Sequence, residues 1–202
     1  MGRRCSLSSS DCRRFLHRTT RALSYRDFWT VPQEDVFYKT GAVNAVGVTD
    51  IQEVVDGLGL DLSTSDVIDV GCGTGRISAL CGEYRGYDIA PSQVEYARST
   101  GLQAELIDGP ESLQGLTAGI VLCLSVFTHI SRGDRQAYLD VFRSIAPRLL
   151  VDILPGAEGG GIPAWYADVE QFEFDLRAAG YEIQSSFVRY PGHHHRYFYA
   201  EL

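Results

Sequence analysis

The segment 67–76, with the sequence VIDVGCGTGR, constrains this chain more than any other part of it. An apolar run leads into closely spaced glycines, which is typical of a buried strand that turns into a helix whose free N–H groups can meet a ligand. A dinucleotide site uses the spacing GxGxxG, whereas these glycines run GxGxG and Arg76 stands where the last glycine belongs. Asp69, just before the turn, disfavours phosphate and favours a cationic group. The turn therefore fits an amino-acid-bearing nucleoside better than a dinucleotide.

Apolar strand patterns alternate with helix patterns along the chain. Helices are predicted at 49–57, 74–81, 92–100, 135–145 and 165–179, and strands at 66–70, 84–88, 104–107, 120–126 and 149–154. Two further strands, 181–188 and 196–202, form a closing hairpin with three histidines near its turn. The predicted fold is α/β, a Rossmann-like, doubly wound, mostly parallel sheet with a C-terminal antiparallel hairpin.

Acidic residues follow the second and third predicted strands. Asp88, at the end of the second strand, can accept both hydroxyls of a ribose. Asp108 and Gly109, after the third strand, offer a carboxylate for an exocyclic amine and a backbone N–H for a ring nitrogen. Each acid alone could be a helix cap or a solvated loop residue, but their joint placement after successive strands indicates a nucleoside site.

These motifs together resemble those of the class I S-adenosylmethionine-dependent methyltransferases, over roughly residues 66–202. VIDVGCGTGR matches the family's cofactor motif, YDIAPSQVEYAR its second-strand motif, LIDGPESL its adenine motif and CLSVFTHI its active-site segment. The resemblance implies S-adenosylmethionine as cofactor, with Asp88 at the ribose and Ile89 and Asp108 at the adenine. Asp69 would orient the turn and the cofactor's ammonium group. The other cofactor-binding positions are Gly71, Cys72, Gly73, Gly75, Gly109 and Ser125.

The methyl acceptor is predicted to be an oxygen or nitrogen atom of a small molecule. After the fourth strand the chain reads Ser-Val-Phe-Thr, without the Asn- or Asp-Pro-Pro-aromatic motif of enzymes that methylate nucleic-acid bases or peptide amides. Cys123 is followed by Leu124 and so lacks the Pro-Cys nucleophile of carbon-methylating enzymes. His129 is the candidate catalytic base, and the alternative is a structural histidine on the pocket floor. No metal site is predicted, because adjacent histidines in a strand point to opposite faces.

Aromatic residues on either side of the core could cover the acceptor. Trp29 and Tyr38 lie in an aromatic segment before the core, and Trp165 and Tyr166 follow a glycine-rich loop at 155–163. We predict that these four contact the acceptor. For the first two, the equal alternative is that they cover the outer face of the sheet.

Charge divides the chain into unlike parts. Residues 1–26 carry seven arginines and one acidic residue, a net charge of +6, whereas the remainder has a net charge of −14. We predict a basic, disordered arm at 1–24, an aromatic cap with a lead-in helix at 25–64, and a cofactor-binding methyltransferase core at 65–202. An acidic body disfavours nucleic-acid partners, because binding to their phosphates depends on cationic side chains.

Two alternative functions remain open. One is a methyltransferase whose macromolecular substrate is recruited by the basic arm, and the other is a protein that binds S-adenosylmethionine without transferring a methyl group. Five cysteines without a CxxC spacing indicate a reducing, cytoplasmic setting. No apolar run approaches the ~20 residues of a membrane span, and the sequence predicts no oligomeric state.

Overall fold

The structure is a computed structural model that describes residues 48–155, 168–188 and 195–202. The α-helices are α1 (Val48–Gly57), α2 (Pro91–Ser99), α3 (Arg132–Ile145) and α4 (Val169–Ala178). The strands are β1 (Asp66–Val70), β2 (Glu83–Asp88), β3 (Ala104–Leu106), β4 (Ile120–Cys123), β5 (Arg148–Ile153), β6 (Glu182–Val188) and β7 (Arg196–Glu201). Short 3₁₀ helices lie at Arg76–Leu80, Pro110–Leu113 and Phe127–His129.

The described strands form one sheet in the order β3-β2-β1-β4-β5-β7-β6. β1 to β5 pair in parallel, whereas β7 pairs antiparallel with both β5 and β6. The predicted fold class is thus confirmed, including the antiparallel hairpin at the C-terminal end. In this topology the carboxyl ends of β1, β2, β4 and β5 and the start of β7 share one edge of the sheet.

Apolar layers cover both faces of the sheet. Successive residues of β4 alternate between the layers, with Val121 in one and Leu122 in the other, because neighbouring side chains on a strand point to opposite faces. One layer contains Phe142 of α3 and Phe172 of α4, and the other contains Val54 of α1. Burial on both faces explains why the central strands are almost continuously apolar.

Two predicted elements are shorter in the structure because the chain turns within them. The helix expected at 74–81 is only the 3₁₀ helix Arg76–Leu80, because the glycine turn extends to Gly75 and the chain turns away again by Cys81. The strand expected at 120–126 ends at Cys123, because Ser125 has a φ of 61° and takes the chain out of the extended conformation.

The last predicted helix, at 165–179, is observed from Val169 to Ala178. The carboxylate of Asp168 caps it by accepting a hydrogen bond from the Glu170 N–H at 2.9 Å. None of the described helices is long and apolar enough to cross a membrane.

Candidate active site

The glycine turn after β1 lies against the loop that follows β4. Gly71 has a φ of 76°, and its N–H donates to the backbone oxygen of Tyr87 at 2.7 Å. A Cβ atom added to Gly71 would lie 2.1 Å from Cγ2 of Val126. The turn therefore requires glycine both for its backbone conformation and for its contact with the β4 loop.

Asp88 joins the end of β2 to the same turn. Its carboxylate accepts the N–H of Gly73 at 2.7 Å and the N–H of Ala90 at 2.8 Å. Burial raises the pKa of Asp88, while these N–H groups oppose that rise by stabilising the ionised form. The predicted ribose acceptor thus lies at the glycine turn.

Asp69 is a second buried carboxylate, one residue before the end of β1. It accepts a hydrogen bond from the Tyr84 hydroxyl at 2.9 Å. Burial raises the pKa of Asp69 to about 7, and the nearby charge of Asp88 adds to the rise, while the Tyr84 hydrogen bond and Arg76 oppose it. The site therefore holds two buried carboxyl groups whose ionised forms are disfavoured by desolvation and favoured by their hydrogen bonds.

The Cys72 side chain is buried against β2. A Cβ atom at Gly86 of β2 would lie 2.8 Å from the Cys72 sulfur, so the thiol packs closely against this strand. Burial raises the pKa of the Cys72 thiol. The side chain is therefore an uncharged packing group, and any cofactor contact of Cys72 would involve its backbone.

The end of β3 lies beside Asp88. The Ile107 N–H donates to the backbone oxygen of Asp88 at 3.0 Å, which places Asp108 and Gly109 next to the β2 end. Asp108 is exposed, Gly109 is buried, and Ile89 is half-buried against the core. The predicted adenine-binding residues are thus neighbours along the same edge of the sheet.

Ser125, also predicted to bind the cofactor, is held by a residue that the sequence motifs did not indicate. Its N–H donates at 2.5 Å to a carboxylate oxygen of Asp152, near the end of β5. The other oxygen of Asp152 contacts Nδ1 of His195, just before β7. Both side chains are buried. An acidic residue inside the apolar strand LLVDIL was the signal that could have indicated this pair.

His129 lies at the end of the 3₁₀ helix that follows the β4 loop. Its N–H donates to the backbone oxygen of Val126 at 2.7 Å, and the residue is half-buried between buried neighbours. The candidate base is thus three residues from the side chain that contacts the glycine turn.

Several predicted residues lie outside the described part of the chain. These are Trp29, Tyr38, Trp165, Tyr166, His193 and His194, together with most of the loop at 155–163. Within the described ranges, no group of three or more His, Cys, Asp or Glu side chains is placed to hold a metal ion.

Solved structures of methyltransferases have the same fold. Magnesium protoporphyrin IX methyltransferase (ChlM) from Synechocystis PCC 6803, with bound S-adenosylmethionine, is 20% identical with a TM-score of 0.65, covering 98% of this chain and 99% of that chain. A SAM-dependent methyltransferase from Archaeoglobus fulgidus is 13% identical with a TM-score of 0.66, covering 83% and 100%. The glycopeptide N-methyltransferase MtfA, complexed with sinefungin, is 12% identical with a TM-score of 0.64, covering 78% and 94%.

No protein-family model and no curated protein sequence matches the chain. At these identities the structural likeness establishes the fold alone. The chain has the fold of the class I S-adenosylmethionine-dependent methyltransferases.

Proposed function

We propose that this protein is an S-adenosylmethionine-dependent methyltransferase that methylates an oxygen or nitrogen atom of a small molecule. The observation that carries the proposal is the hydrogen bond from the Gly73 N–H of the glycine turn to the Asp88 carboxylate, with the buried carboxyl group of Asp69 nearby. A glycine turn and two buried carboxylates suit a ligand with ribose hydroxyls and positive charge. The methyltransferase fold supports the same assignment.

The residues of this edge fit S-adenosylmethionine by their chemistry. Asp88 would accept hydrogen bonds from the ribose, and Asp69 provides negative charge near the cationic end. Asp108 and Gly109 would meet the adenine, with Ile89 against its ring. The cofactor supplies a methyl group on a positively charged sulfur, which an in-line nucleophile can accept.

The remaining task of the protein is to position the acceptor and remove its proton. Exclusion of water and alignment lower the barrier without a chemical step by the protein. A hydroxyl or protonated amine must also lose a proton, and His129 is our candidate for receiving it. Its position after the β4 loop places it on the segment that packs against the glycine turn.

A small-molecule acceptor is favoured by the acidic body of the chain, which repels polyanions. The names of two structural neighbours specify a metalloporphyrin and a glycopeptide as acceptors. These names support a compact acceptor, and they leave the choice between oxygen and nitrogen to experiment.

The cofactor assignment is tested by calorimetry with S-adenosylmethionine, S-adenosylhomocysteine and NAD. We expect binding of the first two and none of NAD. Binding of NAD alone would overturn the proposal. The variant Asp88→Asn should weaken binding of both adenosyl ligands, whereas the exposed control Asp140→Asn on α3 should leave it unchanged.

Methyl transfer is tested by release of S-adenosylhomocysteine in the presence of a library of small hydroxyl and amine compounds. We expect release that depends on one acceptor class. Tight cofactor binding with no release in any mixture would instead support a protein that binds the cofactor without transferring its methyl group.

A further inference from the structure

Asp152 is a buried carboxylate whose oxygens bridge three segments of the chain. It lies in β5 with its side chain fully buried, next to the last residue of the strand. One oxygen accepts the N–H of Ser125 at 2.5 Å, and the other contacts Nδ1 of His195. The ends of β4 and β5 and the start of β7 are thus joined at the ligand-binding edge.

Ser125 has a backbone conformation that needs such support. Its φ of 61° is the single positive value among the non-glycine residues of the described part of the chain. The left-handed region is unfavourable for a residue with a Cβ atom. A hydrogen bond from its N–H to a carboxylate is stronger than one to a neutral acceptor, so it can offset this strain.

His195 holds the Asp152 carboxylate in place through the contact at its Nδ1. Its ring stacks on Tyr197 at 6.1 Å between centroids, with an interplanar angle of 28°. Burial by itself would lower the pKa of His195, but the hydrogen bond and charge of Asp152 outweigh this effect and raise it. A histidine held in this way can supply the donor that a buried carboxylate requires.

The turn at Ser125 also determines where Val126 lies. Val126 is the residue whose side chain occupies the space beside Gly71, at the glycine turn. A change in the Ser125 conformation would therefore move the side chain that packs against the turn. The contacts run continuously from His195 through Asp152 and Ser125 to Val126 and Gly71.

We propose that Asp152 and His195 act as a positioning pair that holds Ser125 in the left-handed conformation and thereby sets the shape of the cofactor-binding turn. The role of the pair in cofactor binding rests on the proposed function. The effect of the pair on the conformation of Ser125 and Gly71 is a property of the protein without ligand. The conformational effect and the effect on cofactor binding can therefore be tested separately.

The experiment compares His195→Ala and His195→Asn in two backgrounds, wild type and Ser125→Gly. The Asn side chain keeps an N–H donor near the position of Nδ1, whereas Ala removes it. Glycine adopts the left-handed conformation without strain, so it should not need the pair. The measurements are S-adenosylhomocysteine affinity by calorimetry and the amide resonances of Ser125 and Gly71 by NMR.

We expect His195→Ala to weaken S-adenosylhomocysteine binding about tenfold in the wild-type background, the factor equivalent to the strain of one left-handed residue. His195→Asn should stay within about threefold of its parent. In the Ser125→Gly background, His195→Ala should cost about twofold or less. The amide resonances of both Ser125 and Gly71 should shift in His195→Ala, with or without ligand.

A buried core variant, Val141→Ala on α3, controls for general loss of stability. It should lower thermal stability but leave S-adenosylhomocysteine affinity unchanged.

Equal losses of affinity from His195→Ala in both backgrounds would overturn the proposal, as would amide resonances of Ser125 and Gly71 that do not shift. A loss of turnover that His195→Asn does not rescue, at unchanged affinity, would also overturn it in favour of direct contact between His195 and the acceptor. Absence of S-adenosylhomocysteine binding by the wild-type protein would reject the proposed function, and the amide resonances would still decide the role of the pair.

Discussion

Gly71 shows how one residue can be fixed by backbone conformation and packing at once. Its φ of 76° favours glycine, and the space beyond its Cα is filled by Val126. Gly101 offers a comparison, because its φ of 89° is equally unusual but nothing lies within 4 Å of an added Cβ. Comparing the two positions therefore separates the free-energy cost of the left-handed backbone from the free-energy cost of the steric clash with Val126.

We predict that Gly71→Ala lowers the free energy of unfolding by about 2–5 kcal/mol, the sum of left-handed strain and overpacking. Gly101→Ala should cost only about 1–2 kcal/mol from strain. Urea denaturation measures both. Adding Val126→Ala should recover part of the Gly71→Ala loss, since it removes the colliding methyl group. Equal losses at the two glycines would contradict this account.

Asp69 illustrates a residue whose burial opposes stability. Its pKa of about 7 lies above the value of 3.8 of an unperturbed carboxyl group. Between these values the folded protein holds a proton that the unfolded chain has released. The free energy of unfolding therefore falls as the pH rises from about 4 to about 7.

We predict that Asp69→Asn stabilises the protein at pH 8 by on the order of 4 kcal/mol, with the gain vanishing toward pH 4. The same variant should bind S-adenosylmethionine more weakly, because it lacks the negative charge that would face the cofactor's ammonium group. Denaturation curves at both pH values, with exposed Asp140→Asn as control, measure the first effect. A stability gain that does not depend on pH would refute the assignment to this carboxyl group.

At the scale of elements, the segment after β4 departs most from its sequence pattern. The apolar run continues to Val126, but the strand ends at Cys123, and the chain then forms the left-handed turn at Ser125 and the 3₁₀ helix Phe127–His129. The hydrogen bond from Ser125 to β5 favours this turn over a longer strand. The segment thereby brings Val126 to the glycine turn and His129 to the same edge of the sheet.

We predict that His129→Ala lowers turnover at least tenfold while cofactor affinity stays nearly unchanged. A general base typically contributes about 10²–10⁴-fold to the rate of the proton transfer step, and it acts on the acceptor and not on the cofactor. The measurements are initial rates with the identified acceptor and calorimetry with S-adenosylhomocysteine. His129→Gln serves as the size-matched control and should not restore turnover. Unchanged turnover in His129→Ala would remove this residue from the mechanism.

At the scale of the whole molecule, the net charge of −8 is the sum of a basic N-terminal part and an acidic body. The described sheet and helices belong to the acidic body. The negative charge of this body repels polyanionic substrates such as nucleic acids, which favours a small acceptor. The basic arm is the feature that favours a macromolecular acceptor.

We predict that deletion of residues 1–24 leaves turnover of the small-molecule acceptor within about twofold of the full chain, since these residues lie outside the proposed core. Initial rates of the two proteins from 50 to 500 mM salt measure the effect. A large loss of activity on deletion, together with a steep salt dependence in the full chain, would instead support a polyanionic substrate recruited by the arm.

The sequence alone determined the fold class, the glycine turn and the placement of Asp88, because apolar periodicity and glycine spacing are local properties of the chain. The bounds of β1 were predicted to the residue, since β1 is an apolar run with a turn at its end. The tertiary structure alone revealed the buried pair of Asp152 and His195, which are 43 residues apart in the chain. It also decided that Asp69 of β1 is buried away from water and accepts a hydrogen bond from Tyr84 of the neighbouring strand β2. Contacts of this kind follow from the order of strands in the sheet, which places distant residues side by side and sets their hydration and charge.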